Sequence, residues 1–395
     1  MIVSQRQLFL QHVAQTSPEP LGLEVERAEG IYIYDTSGKR YIDVIAGISV
    51  SNVGHCHQKV VQAIQQQAQT YMHTLVYGEF VMSPQVQLAK YLSDLLPENL
   101  NAVYFTNSGA EATEGAMKLA KRYTGKSEII SCINSYHGST QGALSLLGDE
   151  FFKSAFRPLL PDTKQIRYNN LEDIDLITER TAAVFLESVQ AEAGVIAPTK
   201  EFLQAVRKRC DETRTLLVFD EIQTGCGRTG KMFAFEHFGI IPDIILLAKG
   251  LGGGMPIGCF ISDKKIMQTL THNPVLGHIT TFGGNAVCCA AALACIQTIH
   301  QEELYKTVQQ KEILFLELLQ HQKIKKINSF GLLIAVYLDA FDEVHKVIQY
   351  CLKNGLITDW FLFANNCLRI APPLIITEAQ IRESCKILLE ALDLL

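Results

Sequence analysis

A single lysine stands between an apolar run and a glycine-rich turn, a position that suits a nucleophile. Lys249 follows Ile244-Ile-Leu-Leu-Ala and precedes Gly-Leu-Gly-Gly-Gly-Met-Pro256. Desolvation at the end of a buried strand disfavours the charged form of a lysine, which lowers its pKa and makes the amine competent to form a Schiff base. The simpler alternative is a solvated loop lysine. The glycine run lacks the GxxxxGK[ST] order, which argues against an ATP site.

A carboxylate follows a second apolar run. The segment Thr215-Leu-Leu-Val-Phe ends in Asp220 and Glu221. A carboxylate at the carboxyl end of a strand can face the ligand crevice of an open α/β sheet, where it can hold a protonated ring nitrogen. Two structural roles for Asp220 stay open at this point, namely capping of the next loop and an ion pair with Arg228.

A third apolar run, ending at Phe105, leads into Thr-Asn-Ser-Gly-Ala-Glu111. Ser108 and Glu111 have the spacing of a capping box, so the pattern predicts a helix that begins here. The free N–H groups and the dipole of a helix N-terminus suit a phosphate, although an ordinary capped helix fits equally well. The segment from His278 to Asn285 is rich in glycine and hydroxyls, and it is either a second phosphate donor or a simple turn.

Composition narrows the class of protein. The 395 residues carry a formal charge of −6 and no long basic run, which favours small-molecule partners over nucleic acid. The 11 cysteines show no CxxC pair, and no stretch of about 18 apolar residues occurs, so we expect a cytoplasmic protein without a membrane span. His55-Cys56-His57 is a poor zinc arrangement, and we expect no metal and a structural role for this segment.

The order of apolar runs predicts how these residues are positioned. Short β-like runs between Gly22 and Val50 indicate a small meander. Between about residues 55 and 300, strand and helix patterns alternate, which is typical of a mostly parallel sheet covered by helices. The remaining residues predict an α+β region. Ligands bind such sheets beyond the carboxyl ends of the strands, which is where the candidate residues lie.

An ordered series of segments over nearly the whole chain resembles the class III aminotransferases of pyridoxal-phosphate (PLP) fold type I, the group of acetylornithine, ornithine and 4-aminobutyrate aminotransferases. The segments are GIYIYDTSGKRYID, SNVGHCHQKV, YFTNSGAEATEGAMKLAKRY, YHGST, FLESVQAEAGV, FDEIQTGCGRTGKMFAFEHFGIIPDIILLAKGLGGGMPIG, TTFGGN and LRIAPPLII. The resemblance implies a large PLP-binding domain over residues 55–304, with a mostly parallel sheet between helices. A smaller α+β domain would combine residues 1–54 with residues 305–395.

The resemblance also implies roles for individual residues around PLP. Lys249 would form the Schiff base with the cofactor and then move the proton during transfer. Asp220 would pair with the pyridinium nitrogen, and Gln223 would hydrogen-bond the phenolic oxygen. Tyr136 would stack on one face of the ring, and Ile222 would pack on the other.

Further cofactor contacts follow from the same motifs. Ser108, Gly109 and Ala110 would hold the phosphate at the helix N-terminus, and His137 belongs to the cofactor-binding set. Thr281 would reach the phosphate from the neighbouring subunit. The implied assembly is a homodimer.

Substrate recognition is implied for an acid and a base. Glu192 and Arg369 would lie near the substrate carboxylates, with the arginine binding one carboxylate and the glutamate neutralising it otherwise. A permanent structural ion pair between these two residues is the alternative.

The sequence departs from the family pattern at several positions. Ser139 stands where many glutamate-using relatives carry an arginine, and residues 16–20 lack the tyrosine of ornithine aminotransferase. Ser188, Ala191 and Ala286 are further departures, which we regard as tolerable.

The implied function is a PLP-dependent aminotransferase with a ping-pong mechanism. The donor would be an acetylornithine-like, ornithine-like or other ω-amino compound, and the acceptor an oxo acid such as 2-oxoglutarate or pyruvate. The same cofactor residues also suit an aminomutase, a racemase or a decarboxylase. A cofactor-binding protein without catalysis is a third hypothesis, which the intact Lys249, Asp220 and Gln223 disfavour.

Overall fold

The computed structural model describes residues 4–395, which form three β-sheets surrounded by helices. The strands are β1 (Val25–Glu29), β2 (Tyr32–Asp35), β3 (Arg40–Asp43), β4 (Ala102–Thr106), β5 (Glu128–Cys132), β6 (Thr163–Ile166), β7 (Thr181–Glu187), β8 (Leu216–Asp220), β9 (Ile244–Leu247), β10 (Gly258–Ser262), β11 (Lys326–Ser329), β12 (Ile334–Tyr337), β13 (Leu356–Ile357), β14 (Asp359–Phe361) and β15 (Ala364–Ile370). The helices are α1 (Gln5–His12), α2 (Ala46–Ser49), α3 (Gln58–Thr70), α4 (Ser83–Leu95), α5 (Gly109–Thr124), α6 (Gln141–Leu146), α7 (Glu150–Lys153), α8 (Lys200–Thr213), α9 (Lys264–Met267), α10 (Ala286–Gln301), α11 (Val308–Leu318), α12 (Phe341–Lys353) and α13 (Glu378–Leu392).

The large sheet has seven strands in the order β4-β10-β9-β8-β7-β5-β6. Strand β10 is antiparallel to both neighbours, and the pairs from β9 to β6 are parallel. Every residue of β7, β8 and β9 is buried, because helices cover both faces and the strands are continuous apolar runs. The mostly parallel sheet that the sequence predicted is therefore confirmed.

The two ends of the chain meet in the smaller sheets. Strands β1, β2 and β3 form the predicted antiparallel meander, and β13 from the C-terminal part adds to β3 in parallel. The third sheet is antiparallel, in the order β11-β12-β15-β14. Because β13 pairs with β3, the first and last parts of the chain share one sheet. The domain boundaries after residues 54 and 304 stay a prediction.

Helix α5 begins as expected, but its capping differs from the sequence prediction. The hydroxyl of Ser108 accepts a hydrogen bond from the backbone N–H of Glu111, at 3.2 Å. The carboxylate of Glu111 turns instead to Asn107, whose backbone N–H and side-chain amide both donate to it, at 2.8 and 2.9 Å. The reciprocal bond to the Ser108 N–H was therefore predicted wrongly, because the adjacent asparagine offers the carboxylate two donors.

The segment His55-Cys56-His57 has a structural contact. The Nε2 atom of His55 lies 2.8 Å from Asp43 Oδ2, and its backbone forms an antiparallel bridge with Gly30. The other oxygen of Asp43 accepts from backbone N–H groups at the start of α2. His55 thus holds the end of the meander in place. Among residues 4–395, no group of three or more His, Cys, Asp and Glu side chains is arranged to hold a metal ion.

None of the helices between residues 4 and 395 combines the length and the apolar character that crossing a membrane requires.

A fully buried arginine joins the large sheet to both ends of the chain. The guanidinium of Arg228 donates to the carbonyl oxygens of Leu332 and Pro372 and to the side-chain oxygen of Asn52. Burial lowers the pKa of Arg228 to about 9, and the charge of Asp43 acts in the opposite direction. The ion pair between Arg228 and Asp220, considered from the sequence, does not form.

We expect Arg228→Leu to lower the free energy of unfolding by at least about 3 kcal/mol, because it leaves several buried oxygen acceptors without donors. Urea unfolding of the purified protein measures this change. Arg180→Leu is the matched control, since Arg180 is mostly exposed and lies 3.9 Å from Asp162. Equal stability of the two variants would contradict a joining role for Arg228.

Candidate active site

A cavity of about 720 Å³ opens at one edge of the large sheet. The carboxyl ends of β4, β5, β7, β8 and β9 meet at this edge, together with the amino end of the antiparallel β10. The candidate residues that line the cavity are Ser108, Gly109, Ala110, Tyr136, His137, Glu192, Asp220, Ile222, Gln223 and Lys249. The topology thus brings together residues that are up to 141 positions apart in the sequence.

Lys249 enters the cavity from the turn that follows β9. Its backbone has a positive φ of 42°, which is uncommon for a residue with a side chain and indicates local strain. The Nζ atom donates a hydrogen bond to Gln223 Oε1, at 3.1 Å. Burial lowers the pKa of Lys249, although the charge of Glu192 acts against this. A neutral amine directed into a cavity is a competent nucleophile and base.

Asp220, the last residue of β8, is paired with a histidine. Its Oδ2 atom lies 2.7 Å from Nδ1 of His137, and its Oδ1 atom accepts from the N–H of Ile222 at 2.9 Å. Burial alone would lower the pKa of His137, but the hydrogen bond and the charge of Asp220 outweigh it and raise that pKa. The Nε2 atom of His137 is buried without a partner among the described residues. The pairing therefore keeps a buried carboxylate stable beside the cavity.

The start of helix α5 forms one end of the cavity. The first N–H groups of any α-helix have no partner within the helix, and here they belong to residues from Gly109 onward. A Cβ atom at Gly109 would lie 2.6 Å from Cδ1 of Ile222, so the absence of a side chain allows this close approach. Ile222 is thereby held against the helix start. This arrangement suits a phosphate, and the role of the helix start in binding one stays a prediction.

Tyr136 and Ser139 line the cavity from the loop that follows β5. Their hydroxyl oxygens are 3.0 Å apart, and both residues line the cavity. The backbone N–H of Tyr136 donates to Glu187 Oε1 at 3.0 Å. Burial raises the pKa of Glu187 to about 7, while the charge of His137 acts in the opposite direction.

Glu192 and Arg369 form a buried, bidentate ion pair. The two Nη atoms of Arg369 donate to the two carboxylate oxygens at 2.8 and 2.9 Å, and Gln223 Nε2 donates to Glu192 Oε1 at 3.2 Å. Burial would raise the pKa of Glu192, but the charge of Arg369 outweighs it, so the pKa is lowered. Lys249, Gln223, Glu192 and Arg369 therefore form one continuous chain of contacts. Within residues 4–395, Glu192 lines the cavity and Arg369 does not.

The predicted phosphate contact Thr281 lies outside the cavity. Two residues at or near the site, Asn107 and Asp359, were not predicted from the sequence. Thr281 is exposed and does not line the cavity, although the hydroxyl of its neighbour Thr280 accepts a hydrogen bond from Asn107, at 3.0 Å. Asn107 itself lines the cavity. Asp359 lies 2.9 Å from Nε of Arg369. The position of Asn107 directly before Ser108 was a usable signal, whereas nothing in the local sequence pattern points to Asp359.

Comparisons with known proteins agree with this geometry. A family model described as Aminotransferase class-III matches residues 13–392. The chain belongs to the class III aminotransferases. An acetylornithine aminotransferase from Methanocaldococcus jannaschii is 41% identical over 379 residues, which are 92% of this chain and 91% of the relative. The resemblance that the motifs indicated is confirmed.

Solved structures support the same conclusion. A Bacillus anthracis aminotransferase has a TM-score of 0.93 at 25% identity, covering 99% of this chain and 98% of that chain. The ornithine aminotransferase of Toxoplasma gondii, described with partial occupancy of PLP at its active site, has a TM-score of 0.90 at 29% identity, covering 97% and 92%. The class III aminotransferase described here has PLP fold type I and uses PLP as its cofactor.

We expect Gly109→Ala to weaken PLP binding at least tenfold, or about 1.4 kcal/mol, because the new Cβ pushes Ile222 into the cavity. Titration of the apoprotein with PLP measures the dissociation constant. Adding Ile222→Val removes the atom at 2.6 Å, so the double variant should recover part of the affinity. Unchanged affinity in Gly109→Ala would show that the helix start tolerates a side chain.

Proposed function

We propose that this aminotransferase moves an amino group from an acetylornithine-like, ornithine-like or other ω-amino donor to an oxo acid, 2-oxoglutarate or pyruvate, by a ping-pong mechanism. The observation that carries the proposal is the chain of contacts from the amine of Lys249 through Gln223 and Glu192 to Arg369. It joins a group that can move protons to a guanidinium that can bind a carboxylate.

The cavity residues fit PLP in chemical type. The helix N-terminus at Ser108, Gly109 and Ala110 would hold its phosphate, and the carboxylate of Asp220 would pair with its ring nitrogen. When bound, PLP supplies an aldehyde that condenses with amines and a protonated ring that withdraws electrons. The Nε2 atom of His137, which has no partner within residues 4–395, and the Nζ atom of Lys249 would supply further polar contacts at the same cavity.

Other residues would orient the ring. Tyr136 and Ile222 line the cavity, where they would cover its two faces. Gln223 would donate to its phenolic oxygen, since its amide nitrogen already lies in the cavity beside Glu192. The contact between Nδ1 of His137 and Oδ2 of Asp220 fixes the orientation of this carboxylate.

Lys249 would act as the base that moves the proton during transfer. Its lowered pKa leaves a larger neutral fraction of the amine near neutral pH, and the oxygen of Gln223 directs the Nζ atom.

The Glu192–Arg369 pair would accommodate two classes of substrate. Bidentate geometry allows a substrate carboxylate to take the place of the Glu192 carboxylate on the guanidinium. When a donor reacts through an amine that is far from its own carboxylate, the ion pair between Glu192 and Arg369 would stay intact. When an oxo acid binds, its carboxylate would displace Glu192 from Arg369. One site would thus serve both half-reactions of a ping-pong cycle.

The choice of donor and acceptor depends on the outer wall of the cavity. Ser139 lines this wall and offers a hydroxyl rather than a guanidinium to a second carboxylate. The relative from Methanocaldococcus jannaschii carries the name acetylornithine aminotransferase, which favours an acetylornithine-like donor. We therefore propose acetylornithine as the first donor to test, together with 2-oxoglutarate and pyruvate as acceptors.

We expect the purified protein to show the long-wavelength absorption of lysine-bound PLP and to lose it with one donor. Acetylornithine, ornithine, 4-aminobutyrate, glutamate and alanine are added singly, and 2-oxoglutarate or pyruvate should then restore the band. Lys249→Ala should abolish the band, while Lys208→Ala, an exposed lysine, should keep it. A product formed without consumption of oxo acid would instead indicate an aminomutase, a racemase or a decarboxylase.

We also infer a homodimer in which Thr281 of one subunit reaches the phosphate of the other. Met72, Phe80, Val81 and Phe282 are exposed apolar side chains. The ring of Phe282 lies 4.9 Å from that of His73, the neighbour of Met72, so the segments around His73 and Phe282 share one surface. Exposed apolar surface of this kind is typical of an interface between subunits.

The cytoplasmic location of the protein stays a prediction.

We expect light scattering to give twice the chain mass of 44.0 kDa. Thr281→Val should weaken PLP binding, whereas the exposed Thr271→Val should not. Refolded mixtures of Lys249→Ala and Thr281→Val chains decide where Thr281 acts. If it acts across the interface, each mixed dimer has one intact site and regains high PLP affinity. Failure of the mixture to regain it would contradict the shared site.

A further inference from the structure

Arg369 is held on the side away from Glu192 by three consecutive residues of β14. Asp359 stands directly opposite Arg369 in the antiparallel pairing of β14 with β15. The Trp360 carbonyl accepts a hydrogen bond from an Nη atom of Arg369 at 2.8 Å, and the guanidinium carbon lies 4.5 Å from the centroid of the Phe361 ring. Glu192 therefore supplies only part of the environment of the guanidinium.

The contact with Asp359 is an ion pair rather than an aligned hydrogen bond. Asp359 Oδ1 lies 2.9 Å from Nε of Arg369, yet neither atom has a hydrogen-bond partner within the described residues. The side chain of Arg369 is 4% exposed and that of Asp359 20%, so water screens their charges weakly. The guanidinium thus lies between two carboxylates, those of Glu192 and Asp359.

We propose that Asp359 is a positioning residue for substrate recognition, which keeps the Arg369 guanidinium neutralised and directed at the cavity when Glu192 gives way to a substrate carboxylate. This inference rests on the carboxylate-binding role proposed above for Arg369. In this arrangement Asp359 is a permanent counter-charge of Arg369, whereas Glu192 is an exchangeable one.

Two physical arguments support this role. A buried guanidinium that loses its only counter-charge is strongly disfavoured, so a second carboxylate lowers the cost of separating Glu192 from Arg369. The different N–H groups of the guanidinium also face different partners. Nε faces Asp359 and one Nη proton serves the Trp360 carbonyl, which leaves the Nη pair aimed at Glu192 available for another carboxylate.

The charge of Asp359 sets the conditions of the test. Burial raises the pKa of Asp359 to about 6, while the charge of Arg369 acts in the opposite direction. At pH 8 the carboxylate is therefore ionised, and binding experiments at that pH compare a charged side chain with its neutral replacements.

The probe is glutarate, an unreactive dicarboxylate, and its binding to the PLP-loaded protein at pH 8 is measured by calorimetry. Asp359→Ala should raise the dissociation constant at least about tenfold, because the fork of Arg369 is no longer fixed. Asp359→Asn, which keeps the volume and loses the charge, should give a smaller increase. Asp339→Ala is the matched control, since exposed Asp339 pairs only with exposed Lys325 at 2.9 Å.

A second measurement separates positioning from damage to the fold. Hydroxylamine reacts with bound PLP and has no carboxylate, so its rate should be the same in Asp359→Ala and the unaltered protein. Equal slowing with hydroxylamine, or unchanged or tighter glutarate binding in Asp359→Ala, overturns the inference. Arg369→Gln tests the underlying proposal separately: if it binds glutarate normally, the carboxylate-binding role of Arg369 fails whatever Asp359 does.

Discussion

Buried charge that must be neutralised is the constraint on which the site depends. Asp220 is paired with His137, and Glu192 with Arg369, in surroundings where an unpaired charge is strongly disfavoured. Burial also acts on Lys249, where it lowers the pKa of the amine. The same burial that forces carboxylates into pairs therefore prepares one amine for nucleophilic and proton-transfer chemistry.

The Glu192–Arg369 pair forms where two sheets pack together. Glu192 follows β7 of the large sheet, whereas Arg369 lies in β15 of a sheet made from the C-terminal part. The backbone N–H of Leu362 also donates to Glu192, at 3.0 Å. Arg228 makes a comparable link between the large sheet and the terminal segments. The proposed carboxylate-binding site therefore depends on how the C-terminal part packs against the large sheet.

The order of elements and the location of the chemistry were predictable from the sequence, because both follow from local patterns. Apolar runs identify buried strands, and polar residues directly after them must gather at one sheet edge. Lys249 and Asp220 were found in this way. Asp359 was not, because its contact depends on the register between β14 and β15, which shifts between Trp360 and Phe361. No local pattern encodes such a register.

The capping of α5 shows a second kind of limit. The spacing of Ser108 and Glu111 correctly predicted where the helix begins. The carboxylate of Glu111, however, accepts hydrogen bonds from the two donors of Asn107. A motif fixes which groups are near one another, and competition among neighbouring donors decides which bonds form. The same competition operates at Arg369, where two carboxylates and a carbonyl share one guanidinium.

Asp220 and Glu192, two of the carboxylates that line the cavity, differ in how they are held. Asp220 has a short side chain at the end of a strand, and its partner His137 is itself fully buried. Glu192 has a longer side chain and is bound by groups from three parts of the chain, among them Gln223 and Arg369. A substrate carboxylate that replaces Glu192 on Arg369 preserves the charge balance there. The contact of Asp220 with His137 is a single one, whereas Arg369 offers two Nη donors that match a carboxylate, so the proposed exchange concerns the Glu192–Arg369 pair.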